Sequence, residues 1–285
     1  MLLKSINYWS FPGGLEGTLT PSELLRLAKE HRFPSVEIAI GESGSAFGLD
    51  VTESQCKQLL DEAAATGVRI SSAASGLYWA RSLADADSST REKALDDLKR
   101  MLQIASWLGV RTLLTIPGAV DVFFMPDRAV LDYEFVWNHA TEGIRAALPT
   151  AEKCGVRMGI ENVWNRFLLS PHEMASFIDQ FESPFVGAYV DVANLLPFGY
   201  AEQWIEILAH RVVGVHFKDY RRAVGTAEGF VDLLEGDVNW PAVMSSLKRI
   251  NYQGPAVAEM IPLYKHLPLV RIANTSTAMD AILSL

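Results

Sequence analysis

Cysteine is scarce in this sequence: Cys56 and Cys154, 98 positions apart, are the only two among 285 residues. Two such residues build no disulfide framework, and no Cys/His group stands at the spacing of a structural zinc site. Also missing is any uninterrupted apolar run near the roughly 20 residues that cross a bilayer. The segment from Met1 to Tyr8 lacks the long apolar core and small-residue cleavage site of a signal peptide. The chain therefore reads as a cytoplasmic protein with no membrane partner. Positive charge is thin as well: 25 Lys and Arg against 34 Asp and Glu give −9, and the densest basic group is only Lys218, Arg221 and Arg222. A field of that sign repels polyanions, which argues against general nucleic-acid binding. Finally, no G-x-G-x-x-G turn occurs, so the phosphate-binding turn of a doubly wound dinucleotide fold is absent.

What is present is core material, with 49% hydrophobic and 21% charged residues. That composition suits one large α/β domain or two modest ones. A short pattern recurs at Gly67-Val68-Arg69, Gly109-Val110-Arg111 and Gly155-Val156-Arg157, with spacings of 42 and 46 residues. Each copy ends a helix-like stretch, where glycine tolerates the left-handed cap, and opens a β-rich run. Extending this reading predicts strands at 4–9, 35–40, 68–74, 111–116, 157–161, 186–191, 212–217 and 255–259. Helices are predicted at about 21–31, 52–66, 88–108, 132–154, 170–181, 199–209, 239–250 and 268–284. Thr20-Pro21-Ser22-Glu23 and Ser170-Pro171-His172-Glu173 predict capping boxes at two of the helix starts. Eight strands alternating with eight helices over this length make a single (β/α)8 TIM barrel of the α/β class, residues 1–285, with no linker.

In such a barrel, polar residues ending the strands face the catalytic mouth. Four consecutive predicted strands end that way: Ile160-Glu161-Asn162, Val190-Asp191, Val215-His216-Phe217-Lys218 and Ala258-Glu259. Taken singly, a carboxylate after an apolar strand is ordinarily a loop residue or helix cap, and His216 between Val215 and Phe217 reads equally as a core histidine. As a set at equivalent ends of neighbouring strands, two Glu, one Asp and one His form a hard, oxygen-rich ligand group. It suits a divalent ion such as Mn²⁺, Co²⁺ or Mg²⁺, and is compatible with Zn²⁺.

At these residues the sequence resembles the xylose-isomerase-like barrel superfamily of sugar isomerases and epimerases. The likeness runs nearly end to end and is sharpest at Val36-Glu37-Ile38, Ile160-Glu161-Asn162, Asp191 to Asn194, Val215 to Asp219, Glu235 to Trp240 and Tyr252 to Glu259. Within that superfamily it is most similar to the ketose and ketose-phosphate 3-epimerases. The resemblance implies one divalent metal, most readily Mn²⁺, held by Glu161, Asp191, His216 and Glu259. It also implies that Glu161 and Glu259 act as acid and base on a sugar or sugar phosphate through a cis-enediolate. A homodimer or homotetramer is implied too. Free-sugar 3-epimerases typically carry histidine three residues after the Asp ligand, whereas Asn194 stands there, as in the pentulose-phosphate branch. With six histidines, of which His216 alone ends a strand as a ligand would, the multi-metal endonuclease branch does not fit.

Further substrate contacts are expected at Lys218, Asn194, Glu37, Trp9 and Trp164. Lys218 shares a strand face with His216 and can meet a hydroxyl or phosphate, or pair with a barrel Glu. Glu37 can orient the substrate or a ligand. Trp9, Trp79, Phe123, Phe124 and Trp164 fall at or after strand ends, where they can form an apolar lid or simply pack. Arg81, Arg166, Arg221 and Arg222 are available to a phosphate without forming a motif. The rival readings keep the barrel but change the reaction: a metal-dependent inosose or dehydroshikimate-type dehydratase, a hydroxypyruvate isomerase-like enzyme, or a non-catalytic sugar-binding barrel.

Overall fold

The computed structural model describes residues 2–285. Its eight barrel strands are β1 (Leu3–Asn7), β2 (Ser35–Ala39), β3 (Arg69–Ala74), β4 (Thr112–Thr115), β5 (Arg157–Glu161), β6 (Val186–Asp191), β7 (Val212–Phe217) and β8 (Pro255–Ala258). Every neighbouring pair is parallel, and β1 bonds to both β2 and β8, which closes the barrel. The helices are α1 (Pro21–Glu30), α2 (Glu53–Thr66), α3 (Leu77–Ala80), α4 (Ser88–Trp107), α5 (Tyr133–Cys154), α6 (Pro171–Asp179), α7 (Ala201–Leu208), α8 (Trp240–Arg249) and α9 (Pro268–Leu283). The predicted alternation therefore holds throughout. No described helix is long and apolar enough to cross a membrane.

Local chemistry sets the boundaries. Gly67 and Gly155 close α2 and α5 with φ of +77° and +67°, a region that penalises side chains. Thr20 and Ser170 accept hydrogen bonds from the amides of Glu23 and Glu173 as caps should. The reciprocal half of the predicted boxes does not form there. Glu23 pairs with Arg26, and Glu173 takes the amide of Leu169 and the hydroxyl of Tyr133. The reciprocal box stands instead at α2, between Thr52 and Gln55.

Three further departures lie at the mouth. β1 stops at Asn7, whose side chain caps a short 3-10 turn by accepting from the Trp9 amide at 2.7 Å, so Trp9 stands beyond the strand. The turn of α3 interrupts the connection after β3 and carries Trp79. Within 219–238, Asp219–Tyr220 pairs antiparallel with Phe230–Val231. None of these carries a periodic signal, because each is four residues or fewer.

Side chains fill the barrel interior and couple opposite walls. Tyr189 of β6 is fully buried, and its hydroxyl donates to Glu37 Oε2 of β2, across the barrel, at 2.6 Å. The ring fits because its neighbour in register on β7 is Gly214. A Cβ at Gly214 would stand 2.4 Å from the Tyr189 ring. Gly214→Ala is therefore expected to destabilise the protein by about 1–3 kcal/mol through overpacking, read as a lower urea midpoint at unchanged slope.

Candidate active site

The ends of β5 to β8 build the site. Asp191 and His216 stand side by side in the β6–β7 register. Glu161 closes β5, and Glu259 follows β8 with its amide still bonded to the Phe217 carbonyl at 3.1 Å. The four predicted ligands converge: each offers one ligand atom, all within 4.8 Å of one another, and all four residues are buried.

Backbone and side-chain bonds aim each group. Asn162 accepts from the Asp191 amide at 2.9 Å and donates to its carbonyl at 2.8 Å, locking the ends of β5 and β6 together. Asp191 Oδ1 accepts from the amides of Ala193 and Asn194, both at 2.9 Å. Its Oδ2 is buried with no hydrogen-bond partner, although Lys218 Nζ lies 3.1 Å away. His216 Nε2 faces Glu37 Oε1 at 2.8 Å, which leaves Nδ1 turned toward Glu161 at 3.2 Å and Glu259 at 3.5 Å. A carboxylate behind a histidine fixes the tautomer and presents the other nitrogen to a cation. The donor set, its convergence and the orphaned Oδ2 fit a divalent ion.

The electrostatics agree. Burial pushes the Glu161 carboxyl up to about 7, with Glu259 and Asp191 adding to the rise against the opposing pull of His216. Three acids crowded in a dry space hold a proton between them unless a cation replaces it. Lys218 is one such cation. Burial works against its charge, but Asp191, Glu259 and Glu161 together raise its pKa, and its Nζ lies 2.5 Å from Glu259.

Above the ligands opens a cavity of about 480 Å³. Glu161, Glu259, Lys218 and Asn194 form its floor, and Trp9, Trp79, Phe123, Phe124 and Trp164 stand in its walls. Most of those rings meet edge to face: Trp79 on Phe124, Phe124 on Phe123, Phe123 on Trp164. Asn194 donates to the Asn162 carbonyl at 3.1 Å, and Trp164 donates its indole N–H to the Asn194 carbonyl at 2.8 Å. Leu15, Phe230, Ile261 and Pro262 also line the space and were not foreseen. Phe230 arrives through the short antiparallel ribbon, and the other three sit on loops without a local pattern.

Glu37 corrects one expectation. It is fully buried beneath the ligands and does not line the cavity. Its oxygens meet Asn7 at 2.7 Å, Ser72 at 2.7 Å, Tyr189 at 2.6 Å and His216 at 2.8 Å. Burial alone would raise its pKa, but the His216 charge and the bonds from His216, Tyr189 and Ser72 outweigh that and lower it. Direct substrate contact is thus closed to Glu37, which reaches the site only through its bond to His216.

Asp219 ends the same motif as His216 yet turns away from the site. Oδ1 accepts from the amides of Tyr220 at 2.9 Å and Val238 at 3.1 Å, and Oδ2 from the Leu234 amide at 2.9 Å and the Trp240 indole at 3.0 Å. It pins the loop that carries Phe230 over the mouth, and Gly236 must lack a side chain because a Cβ there would lie 2.1 Å from Oδ1. Asp219→Ala strands four donors, three of them buried, at about 1–3 kcal/mol for each buried one left unsatisfied. Its expected outcome is a loss of roughly 3 kcal/mol or more, with hydrogen exchange accelerated at residues 219–238 and little changed in β2 to β5.

Comparison with known proteins gives the same frame. UlaE, the L-ribulose-5-phosphate 3-epimerase of Salmonella paratyphi C, is 25% identical over 277 residues, covering 96% of this chain and 94% of UlaE. SgbU of Escherichia coli is 26% identical over 264 residues, covering 91% of this chain and 90% of SgbU. Among solved structures, D-psicose 3-epimerase from Clostridium cellulolyticum H10 superposes with a TM-score of 0.78 over 100% of this chain and 99% of that one, at 16% identity, a likeness of fold. Residues 25–276, from α1 into α9, match the Xylose isomerase-like TIM barrel family, and the chain belongs to it.

Proposed function

We propose that this protein is a divalent-metal-dependent 3-epimerase of a ketose or ketose phosphate, with Glu161 and Glu259 exchanging the C3 proton. The observation that carries this reading is the buried ligand group, in which two of the four members are Glu from the outer strands of the set. The L-ribulose-5-phosphate 3-epimerase name of UlaE points to the same reaction class.

Epimerisation at C3 removes a weakly acidic proton beside a carbonyl and returns one to the opposite face. A divalent ion at Glu161, Asp191, His216 and Glu259 would supply Lewis-acid stabilisation of the charge that develops on the sugar oxygens. The chain's own residues do the rest. β6 and β7 separate β5 from β8, so the two Glu reach the cavity floor from opposite sides. One takes the proton from its face of the substrate and the other delivers a proton from its own, as two positioned carboxylates can. Glu161 and Glu259 suit such exchange because both line the cavity floor, where a C3 proton can be taken or returned. Lys218 balances Asp191 and Glu259 and offers its remaining hydrogens to a substrate hydroxyl, and Asn194 stands beside it on the floor. The aromatic walls exclude water from the carbanionic species.

The test combines metal analysis with isotope exchange. Equilibrium dialysis with Mn²⁺ should show one ion per chain, lost in Asp191→Asn and weakened about 10- to 100-fold in Glu37→Gln, which removes the support behind His216. In D₂O the Mn²⁺-loaded protein should place deuterium at C3 of a ketose or its phosphate. Glu161→Gln and Glu259→Gln should each slow that exchange by about 10²- to 10⁴-fold. Label at C1, or loss of water, would assign the site to an isomerase or a dehydratase, and a protein that binds no divalent ion would defeat the reading altogether.

A further inference from the structure

The geometry points to an uncharged ketose as the substrate class, one that carries no terminal phosphate and is held at its far end by aromatic rings. This rests on the 3-epimerase reading and narrows it, and it departs from the phosphorylated substrate in the name of UlaE.

A terminal phosphate is a compact dianion that needs cations or free amides at the end of the pocket remote from the reacting carbons. Among the described residues, Lys218 is the only basic side chain in the cavity, and it lies on the floor, engaged by Asp191 at 3.1 Å and Glu259 at 2.5 Å. Three of the four arginines that the sequence offers are committed elsewhere, and the fourth, Arg166, is exposed and does not line the cavity. Arg81 pairs with Glu42 and Asp97, Arg221 with Glu235, and Arg222 with the carbonyls of Leu196 and Gly199. Arg81 Nη2 and Arg128 Nη1 are without partners, yet neither residue lines the cavity. An adjoining chamber of about 230 Å³, which shares Trp9, Leu15 and Gly76 with the main one, holds no basic residue either.

Charge points the same way. Four acidic side chains, Glu37, Glu161, Asp191 and Glu259, gather at or beneath the floor against one basic side chain, Lys218. A dianion entering this acidic surround finds no basic side chain beyond the already engaged Lys218, whereas a neutral polyol needs none. Toward the mouth the walls are Trp79, Phe123, Phe124, Trp164 and Phe230. Aromatic faces carry negative charge density and accept the C–H faces of a sugar, not a phosphate.

The experiment compares matched pairs, L-ribulose with its 5-phosphate and D-fructose with its 6-phosphate, on the full-length wild-type chain with Mn²⁺. Two readouts are taken: deuterium exchange at C3 in D₂O, and quenching of tryptophan emission, since Trp9, Trp79 and Trp164 line the cavity. The free ketose of a pair should win in both, by at least about tenfold in kcat/KM and in the concentration that gives half-quenching. Better exchange and tighter quenching with the phosphate would overturn the inference while leaving the epimerase reading in place. Absence of exchange from every sugar would sink the epimerase reading, and quenching alone would then decide. Response to the free ketoses only would uphold an uncharged ligand; response to the phosphates, or to neither, would overturn it.

Discussion

Removing a carboxylate from water costs several kcal/mol even after the protein relaxes around it, and this barrel buries four of them at one end: Glu37, Glu161, Asp191 and Glu259. The surrounding structure is arranged around that cost. Glu37 recovers its solvation from Asn7, Ser72, Tyr189 and His216. Asp191 recovers half of its own from the amides of Ala193 and Asn194, and Glu259 is neutralised by Lys218. Least compensated are Asp191 Oδ2, which lacks a hydrogen-bond partner among the described residues though Lys218 lies 3.1 Å away, and Glu161, whose pKa burial raises. The least compensated acids thereby belong to the one group whose ligand atoms converge within 4.8 Å.

That confinement depends on rigid links across the barrel. Glu37 sits on β2, Tyr189 on β6 and His216 on β7, so one carboxylate ties three strands together, two of them on the far side of the closed sheet. Tyr189 reaches it through space that Gly214 leaves open. A histidine held this way cannot swing between Glu161 and a core position without breaking a buried charge-assisted bond. The four ligand atoms consequently keep their spacing before any ion arrives, which is the pre-organisation that an electrophilic site requires.

The parts of this architecture that were legible in the sequence are those written in short range. Gly67, Gly109 and Gly155 punctuate helix ends, and apolar strands of five or six residues that finish in an acid or histidine mark the mouth, so the barrel and the convergence of Glu161, Asp191, His216 and Glu259 follow from pattern alone. Roles that depend on register across the closed sheet were not legible. Glu37 reads as a residue open to substrate until its pairing with β3 and its reach to β7 place it underneath. Asp219 stands three residues beyond His216, and its side chain turns away from the site toward the amides of Leu234 and Val238, a partnership no local pattern announces. The half-formed boxes at Thr20 and Ser170 show a third limit: Glu23 and Glu173 had better partners in Arg26 and Tyr133, and only tertiary packing supplies the second of these.

The ionic floor and the aromatic rim are two halves of one device. Charges act more strongly where water is scarce, and the fields that would hold an ion and polarise a substrate weaken if the mouth stays wet. Phe123 and Phe124 are about half exposed, at 55% and 47%, which is unfavourable for a free surface and gives nothing to the core. Their edge-to-face contacts instead extend a continuous wall from Trp79 to Trp164, and Trp164 is itself fastened to the Asn194 carbonyl one residue from the amide bonds that aim Asp191. Rim and floor are therefore mechanically connected through Asn194: its amide steadies Asp191, its side chain bonds to the Asn162 carbonyl just past β5, and its carbonyl holds the Trp164 ring in the cavity wall. Histidine at this position would put a titratable group beside the acids, whereas asparagine keeps these contacts at every pH.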